Sequence, residues 1–409
     1  MRFEAPRGTH DVLPAEQPVW QHVLREAEAA CAAYGYRRIQ TPGFEHTELF
    51  RRTSGAGSDV VQKEMYTFSR GADSFTLRPE ATAPIARAYL EHGLGREPQP
   101  QKLYTVASLY RGETPQRGRY REHWQLSVEA IGSADPALDA ELIQLYAELL
   151  RRLGLRHDRL LLNSIGDRVC RPAYLERLGV WLDAHDAELD DDARHKRATN
   201  PLRVFDVKSE RVRLALAAAP TIGKSLCAAC AEHFATVRRY LDLYGVAYEL
   251  APTLVRGFDY YTRTTFEFQV DSIGAQSTIC GGGRYDGLVE EIGGPPTPGV
   301  GFGAGIERLT IALAEQGIEV EEPGIDVFFV CAEEAARAEI LTVMAELRHR
   351  GRRCDTDYAG RSLRGQLTQA GRLGARLTVL AGADRATIRR RGADDEEVPL
   401  TDLATRLSA

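Results

Sequence analysis

The sequence predicts an α+β fold in three parts: an antiparallel sheet flanked by helices, a mostly helical insertion, and a small C-terminal α/β domain. Apolar residues recur at helical spacing over 16–34 and 136–153, and strand-like runs lie around them. The stretch from about 167 to 250 is charged and helical in pattern, unlike its flanks. Beyond 323, strands and helices alternate, which is typical of an α/β domain.

The N-terminal domain, residues 1–322, is predicted from segments whose apolar residues recur at helix or strand spacing. The first helix ends at Gly35, and strand-like runs follow at 36–41 and 102–109. The segment 124–130 alternates between apolar and polar residues, as does a strand with one buried face. The last two runs enclose an arginine-rich loop, so we predict that they pair as an antiparallel hairpin.

A further strand is predicted at 264–270, directly after a segment that carries Arg256, Tyr260 and Tyr261. Successive side chains of a strand point to opposite faces, so Glu267 is expected on the face opposite its phenylalanine neighbours. Taken alone, this segment fits an edge strand with an aromatic anchor as well as it fits the wall of a pocket.

The C-terminal domain, residues 323–409, alternates between the two kinds of element. A hinge is predicted at 318–324. Strands are predicted at 325–331, 352–358 and 375–380, with helices at 333–350 and 362–374. This order predicts a sheet whose strands are mainly parallel.

Composition and charge exclude several classes of protein. The chain has 409 residues, enough for two domains and an insertion, and a net charge of −6, which argues against non-specific coating of nucleic acid. No apolar run approaches the roughly 18 residues of a membrane span. Seven cysteines, an odd number, are typical of reduced thiols. We therefore expect a cytoplasmic protein without membrane contact.

The predicted hairpin carries residues suited to a charged ligand. Arg111 can donate to a phosphate through a planar, bidentate contact. Gln125 and Glu129 share one face of the return strand, where a carboxylate suits an ammonium group. A solvated surface hairpin would explain the loop, but it explains the one-sided polar face less well.

Two helix starts point to the same kind of ligand. Glu80 and Thr82 begin one helix, and Arg308 lies in the first turn of another, behind a glycine-rich segment over 299–305. The dipole of a helix N-terminus opposes a cation, so Arg308 there suggests a bound anion. The glycines alternate strictly and follow a proline-rich loop, so they do not form the G-x-G-x-x-G dinucleotide fingerprint.

These segments resemble a known family. Arg111-Gly112-Glu113 with its arginine-rich loop, and the glycine-rich segment ending at Arg308, are similar to motifs 2 and 3 of class II aminoacyl-tRNA synthetases. Residues 41–50 resemble motif 1, which builds the dimer interface in that class. The segments 256–261 and 282–287 resemble histidyl-tRNA synthetases in particular. The resemblance spans essentially the whole chain, including the C-terminal domain, which reads the anticodon in this family.

The resemblance implies ATP-dependent ligation of L-histidine to tRNA(His) through a histidyl-adenylate, releasing AMP and pyrophosphate. It implies ATP as a substrate, Mg²⁺ bound with ATP, and a homodimer. The roles it implies are catalysis for Arg256 and Arg111; histidine binding for Glu80, Thr82, Gln125, Glu129, Tyr260 and Tyr261; ATP binding for Arg111, Glu113, Arg119, His123 and Arg308; and tRNA binding for Gln116 and Arg117.

The chain departs from the family pattern at two positions. Thr114 stands where the family usually has a second arginine, so one contact to phosphate or acceptor stem is in doubt. His123 stands where a phenylalanine usually stacks on adenine. An imidazole can also stack, so we expect altered rather than lost ATP binding.

Cysteines at 170, 227 and 230 raise the question of zinc. A structural zinc site needs four ligands, usually as two pairs, and the position that would pair with Cys170 is Asp167. A Cys-x-x-Cys helix segment is often two small buried thiols. On spacing alone we expect no zinc, and we assign no metal ligand.

Two other functions remain as alternatives. One is the regulatory paralogue of the synthetase, a subunit of ATP phosphoribosyltransferase that binds histidine without charging tRNA. That paralogue tends to lose the activating arginines and the C-terminal domain, whereas this chain keeps Arg111, Arg256 and residues 325–409. The other is a different class II synthetase, which would need another pocket in place of Tyr260 and Tyr261.

Overall fold

The computed structural model describes residues 3–55, 58, 60–207, 209–321, 324–390 and 392–408. The chain divides into two compact units, Met1–Val320 and Glu321–Ala409. The boundary predicted at 322/323, and part of the hinge predicted at 318–324, lie outside the described residues. None of the described helices is long and apolar enough to cross a membrane.

The first unit combines helices with a long mixed sheet. Its helices are α1 (Gln17–Ala33), α2 (Thr47–Ser54), α3 (Thr82–Glu91), α4 (Pro136–Arg152), α5 (Arg171–Ala184), α6 (Asp191–Thr199), α7 (Glu210–Leu216), α8 (Ala228–Tyr244), α9 (Leu288–Glu291) and α10 (Ile306–Glu315). Its strands are β1 (Arg37–Arg38), β2 (Phe44–His46), β3 (Thr67–Arg70), β4 (Asp73–Leu77), β5 (Gln101–Tyr110), β6 (Glu122–Ile131), β7 (Arg159–Ser164), β8 (Glu249–Leu250), β9 (Thr262–Gln269), β10 (Thr278–Arg284) and β11 (Gly299–Gly305).

The main sheet has the strand order β1-β5-β6-β11-β10-β9-β7-β8 among the described residues. Its central strands are antiparallel, and β1 and β8 add parallel edges. The predicted hairpin is confirmed, because β5 and β6 pair from Gln101 opposite Ile131 to Tyr110 opposite Glu122. A second, small sheet has the order β2-β4-β3.

One face of the main sheet packs against α1, α4 and α10 to form the core. Phe266, Phe268 and Phe302 point into it, and the rings of Phe268 and Phe302 pack edge-on against that of Tyr146. The alternation of β9 therefore places its phenylalanines in the core and Glu267 on the opposite face, as predicted. The predicted antiparallel sheet flanked by helices is confirmed, and its other face is free to build a site.

Residues between β7 and β8 fold as α5, α6, α7 and α8. Leucine and valine side chains such as Leu178, Leu182 and Val212 form a small core of their own. Arg171, at the start of α5, donates through Nη2 to the backbone oxygen of Tyr261 at 2.7 Å. The helical segment is thus tied to the strand entry that carries the two tyrosines.

A buried ion pair joins α4 to β10. Arg284 and Asp139 are fully buried and in direct contact, and the Nε2 atom of His233 lies 3.2 Å from the same carboxylate. Burial opposes ionisation of Asp139, but Arg284 and His233 outweigh it and hold the pKa of Asp139 at about 2. The pair stays charged at neutral pH.

Removing one partner of this pair is expected to destabilise the first unit strongly. Arg284→Met should cost about 3–5 kcal/mol, because it leaves Asp139 charged and buried without its partner. Urea unfolding monitored by circular dichroism measures the loss in the free energy of unfolding. In the double variant Arg284→Met/Asp139→Leu both charges are gone, so a smaller loss is expected; an equal loss would show that the charge pairing is unimportant.

The second unit is a small α/β domain. Its strands are β12 (Val327–Cys331), β13 (Cys354–Thr356), β14 (Leu377–Ala381), β15 (Arg385–Arg390) and β16 (Glu396–Pro399); its helices are α11 (Arg337–His349), α12 (Leu363–Arg372) and α13 (Leu403–Ser408). Strand β12 is parallel to β13 and β14, as predicted, whereas β15 and β16 continue the sheet antiparallel. The sequence did not predict these last two strands.

Candidate active site

Glycines form the floor of a cavity on the open face of the main sheet. Gly281 lies opposite Gly303, and Gly283 opposite Gly301, in the antiparallel pairing of β10 and β11. Gly281, Gly301 and Gly303 line the cavity, and Gly283 lies beside them under Tyr261; we call these four residues the glycine floor. Side chains from neighbouring strands lie over it: a β-carbon at Gly301 would fall 1.8 Å from Oε2 of Glu129, and one at Gly303 would fall 2.5 Å from Nε2 of Gln125. The cavity exists where these strands have no side chains.

One end of the cavity is strongly cationic. Arg111, Arg119, Arg256 and Arg308 line it; they come from the residue after β5, the hairpin loop, the segment before β9, and α10. Arg111 is held by the backbone oxygen of Pro79 at 2.8 Å, and Arg308 by that of Gly118 at 2.9 Å. These arginines come from distant parts of the sequence and meet around one space.

The clustering of these cations shifts the pKa values of neighbouring groups. Burial, together with Arg119 and Arg111, lowers the pKa of Arg308 to about 10. Burial, with Arg111 and Arg308, lowers the pKa of His123 to about 3, so its imidazole is neutral at pH 7. Such mutual repulsion is relieved by a polyanion, and a neutral imidazole is free to stack on a ring.

Arg256 holds a distinct place at this end. Its Nη1 atom donates to Oε2 of Glu267 at 2.7 Å, and its guanidinium lies over Gly281. Its Nε atom is buried and has no hydrogen-bond partner among the described residues. Arg256 is therefore anchored on one side and still has a donor to offer.

The other end of the cavity carries carboxylates and phenols. Glu129 is fully buried and accepts hydrogen bonds from Thr82 Oγ1 at 2.8 Å and from the Tyr285 hydroxyl at 2.5 Å. Burial raises the pKa of Glu129 to about 8, although both hydrogen bonds favour the carboxylate. Glu80 is buried too, and accepts from the backbone N–H groups of Thr82 and Ala83 at the start of α3. This end suits a cationic group.

The tyrosine pair closes the pocket beside these acids. The rings of Tyr260 and Tyr261 lie 4.7 Å apart, and Phe258 stacks on Tyr260 with ring centroids 5.2 Å apart. Both tyrosines are buried, which raises the pKa of each hydroxyl. They therefore remain neutral hydrogen-bonding groups. The alternative of an edge strand with an aromatic anchor does not fit this arrangement, because both tyrosines line the cavity.

Most residues singled out from the sequence lie together here. The residues that line the cavity are Glu80, Thr82, Arg111, Glu113, Arg119, His123, Gln125, Arg256, Tyr260, Tyr261 and Arg308. Glu129 lies directly behind Thr82. Gln116 and Arg117 lie outside the cavity, on the exposed loop whose tip is Gly118; Arg117 pairs there with Glu315.

Sequence reasoning missed several residues of the site. Arg203 and Asp206 reach the cavity from the helical insertion, and nothing local in their short segment signals this. Tyr285 and Glu267 were visible in the sequence but had no assigned partner. The alternation of β9 already placed Glu267 on the site face, and only the fold shows that it anchors Arg256.

A second group of potential ligands lies away from this cavity. The carboxylate of Asp167 and the thiols of Cys170, Cys227 and Cys230 have ligand atoms within 4.8 Å of one another. None of the four lines the cavity.

The glycine floor gives a direct test of how Arg256 is placed. In Gly281→Ala the new β-carbon would lie 2.1 Å from Nη2 of Arg256, so the guanidinium must move while the strand stays. We expect catalytic turnover to fall on the order of 10²-fold, with unfolding nearly unchanged. Gly179→Ala in α5 meets nothing within 4 Å and is the matched control. Unchanged turnover in Gly281→Ala would contradict this placement.

Comparison with known proteins agrees with this geometry. The family model described as histidyl-tRNA synthetase matches residues 8–309, and that of an anticodon binding domain matches residues 326–409. The chain is 46% identical over 407 residues to the histidine--tRNA ligase of Caldanaerobacter subterraneus subsp. tengcongensis, covering 99% of this chain and 96% of the relative. It is 48% identical to that of Moorella thermoacetica, covering 98% and 96%.

A solved structure leads to the same family. The crystal structure of apo histidyl-tRNA synthetase from S. aureus superposes with a TM-score of 0.84 at 35% identity, covering 100% of both chains. An ATP phosphoribosyltransferase regulatory subunit/histidyl-tRNA synthetase from Bacillus halodurans, at 22% identity and a TM-score of 0.67, shares the fold. The sequence motifs, the arginine-lined cavity on an antiparallel sheet and these full-length relatives show that the chain belongs to the histidyl-tRNA synthetase family.

Proposed function

We propose that the chain activates L-histidine with ATP and transfers it to tRNA(His) by way of a histidyl-adenylate, releasing AMP and pyrophosphate. One observation carries this proposal: a single cavity joins an arginine-rich end to an end lined by Glu80, Thr82 and the tyrosine pair. The first end suits the phosphates of ATP, and the second suits the ammonium and imidazole groups of histidine. The family's full-length relatives support the same reaction.

The activation step needs alignment and charge neutralisation rather than a base. The nucleophile is the substrate carboxylate, which is already ionised at neutral pH. Charge grows on the α-phosphoryl group as the carboxylate attacks and pyrophosphate leaves. We assign Arg256 and Arg111 to that charge, and Arg308 to the phosphates. Mg²⁺ enters bound to ATP as part of the substrate.

Adenine recognition is assigned to the hairpin. Glu113 is buried at its base and contacts Arg119, and His123 lies on β6 beside Arg111 and Arg308. We propose that Glu113 accepts from the adenine amino group and that the neutral His123 ring stacks on the base. Thr114 is exposed and stands where the family usually has an arginine, so that arginine's contact is not made here.

Recognition of histidine is assigned to the acidic end. We propose that Glu129, Gln125, Glu80 and Thr82 hold the α-amino and carboxylate groups, and that the tyrosine pair reaches the imidazole. A buried site built to hydrogen-bond an imidazole rejects amino acids that leave those groups unpaired, by factors on the order of 10⁴. Specificity therefore follows from burial of the polar groups.

The tRNA is expected to meet two surfaces. The exposed loop with Gln116 and Arg117 suits the acceptor end, because it lies next to the cavity and carries cationic side chains. Residues 326–409 match an anticodon binding domain, so we assign anticodon contact to the second unit.

We also infer a cytoplasmic homodimer. The small sheet formed by β2, β4 and β3 carries Phe44, Phe68 and Phe75, with ring centroids 5.6–5.8 Å apart. Phe44 and Phe68 are 49% and 43% exposed, and such apolar clusters usually mark an interface. Residues 41–50, which resemble the dimer motif, include β2. Sedimentation equilibrium should give the mass of two chains, and Phe68→Arg should shift it toward one.

The regulatory paralogue is less well supported. A histidine-binding subunit without activation chemistry has no need for five arginines around one cavity, or for a domain matching anticodon binding domains. The Bacillus halodurans protein named for that role is only 22% identical to this chain and supports the fold alone.

Histidine-dependent exchange of pyrophosphate into ATP tests the first step, and transfer of labelled histidine to tRNA tests the second. We expect both. Exchange with another amino acid, but not with histidine, would overturn the proposed specificity. Pyrophosphate exchange without transfer of histidine to tRNA would overturn the proposal that the chain charges tRNA. It would favour a protein that activates histidine for another purpose.

A further inference from the structure

Four side chains at the base of the helical insertion converge on one point. Asp167 and Cys170 lie in the turn between β7 and α5, whereas Cys227 and Cys230 lie at the start of α8. Nearly sixty residues separate the two pairs, so only the fold brings them together. Their ligand atoms all lie within 4.8 Å of one another.

The two carboxylate–sulfur separations are close to those in a tetrahedral metal site. With metal–sulfur bonds near 2.3 Å, the edges of a tetrahedron are about 3.8 Å long. The Oδ1 atom of Asp167 lies 3.5 Å from Sγ of Cys170 and 3.9 Å from Sγ of Cys227. A disulfide would instead require two sulfurs in covalent contact, and all three cysteines are free.

Further contacts orient the groups of this cluster. The backbone N–H of Asp167 donates to Sγ of Cys170 at 3.3 Å, as in a turn that presents a thiolate. Arg263 lies 3.7 Å from Oδ2 of Asp167, so one carboxylate oxygen faces the sulfurs while the other faces a guanidinium. Metal-binding carboxylates are commonly oriented in this way by a second partner.

We propose that Asp167, Cys170, Cys227 and Cys230 bind one Zn²⁺ that fastens the start of the helical insertion to its last helix, α8. A set of three sulfur ligands and one oxygen favours Zn²⁺ over hard cations such as Mg²⁺ or Ca²⁺. Cys170 and Cys230 are buried, while Asp167 and Cys227 are partly exposed, which leaves a path for the ion to enter. Spacing alone led to the expectation of no zinc, whereas we propose zinc here because a carboxylate completes a set of four ligands.

The position of this site gives it a structural role. Arg171 follows the ligand Cys170 directly and donates to the backbone oxygen of Tyr261 at 2.7 Å. The backbone N–H of Arg263, which lies beside Asp167, donates to the oxygen of Gly166 at 2.7 Å. An ion here would hold the insertion against the strand entry that carries the tyrosine pair.

Metal analysis of the full chain, purified without chelator, tests the proposal. We expect about one zinc per chain, and reconstitution of metal-free protein with Co²⁺ should give the visible bands of tetrahedral thiolate coordination. Cys227→Ser and Cys230→Ser should lose most of the zinc. Cys331→Ser, in the second unit, is the matched control and should keep it. No substrate is needed, so the result is independent of the proposed reaction.

A variant expected to bind zinc more tightly keeps the test valid even if the serine variants fail to fold. Asp167→Cys replaces the carboxylate with a fourth thiolate and should release zinc to a chelator at least tenfold more slowly than the unchanged chain. Zinc at trace level in the unchanged chain, with no Co²⁺ spectrum, would overturn the proposal. So would a titration of five free thiols out of seven in denaturant, because it would reveal a disulfide.

Discussion

Replacing Arg256 with alanine is expected to lower kcat for histidine activation on the order of 10²–10³-fold, with little change in histidine binding. The reason is the position of Arg256 over Gly281, anchored by Glu267 at 2.7 Å and with a buried Nε donor to spare. Such a donor contributes most when charge develops on the α-phosphoryl group. Pyrophosphate exchange at saturating ATP and varied histidine separates kcat from KM.

Two further variants separate the charge of Arg256 from its placement. Arg256→Lys keeps the charge but loses the planar set of donors, so only partial activity is expected. Glu267→Gln keeps Arg256 but weakens its anchor, so a smaller loss of kcat is expected. A loss confined to KM in Arg256→Ala would show that the residue binds substrate and does not act on the transition state.

Histidine binding is expected to strengthen with pH up to about 8, because burial raises the pKa of Glu129 to about 8. At pH 7 most of this carboxyl is protonated in the empty site, and an arriving ammonium group favours the ionised form. The pKa of Glu129 is then lower in the complex than in the free protein, so binding releases a proton below pH 8. Linkage predicts that the dissociation constant falls by up to about tenfold per pH unit in this range and levels off above it.

Calorimetric titration with histidine from pH 6.5 to 8.5 measures this dependence. Glu129→Gln removes the titrating group and keeps the shape of the side chain, so its affinity should be weak and should lack the pH dependence that Glu129 contributes. The histidine imidazole titrates identically in both experiments, so the difference between the two profiles isolates Glu129. Parallel profiles would show that Glu129 does not control binding.

The fold was predictable from the sequence where buried side chains recur at regular intervals along the chain. Helix α1 and the β5–β6 hairpin follow from periodic burial of side chains, and they lie close to where the pattern put them. The run at 36–41 shrinks to Arg37–Arg38, because it adds only a short parallel edge beside β5. Strands β15 and β16 were missed because charged residues dominate them; Arg385, Arg389 and Arg390 conceal the alternation of buried Ala386 and Ile388.

The candidate site was predictable in its local pieces and not in its long-range contacts. Arg111, Glu113 and Gln125 belong to one hairpin, so the sequence could place them together. Arg203 and Asp206 reach the cavity from an insertion whose position depends on tertiary packing. Asp167 was discounted as a ligand because spacing shows only residue types, whereas its carboxylate lies among three thiols.

The glycine floor also limits how the protein can change over evolutionary time. No substitution at Gly281, Gly283, Gly301 or Gly303 can deepen the pocket, because no side chain is left there to shorten. Every substitution makes it shallower, starting with a single methyl group that would meet Arg256, Tyr261, Glu129 or Gln125. A change in which amino acid the pocket binds must therefore begin with substitutions in the walls of the pocket, at the tyrosine pair and the buried carboxylates. The glycine floor therefore fixes the depth of the pocket, while substitutions in the pocket walls can still change which amino acid fits it.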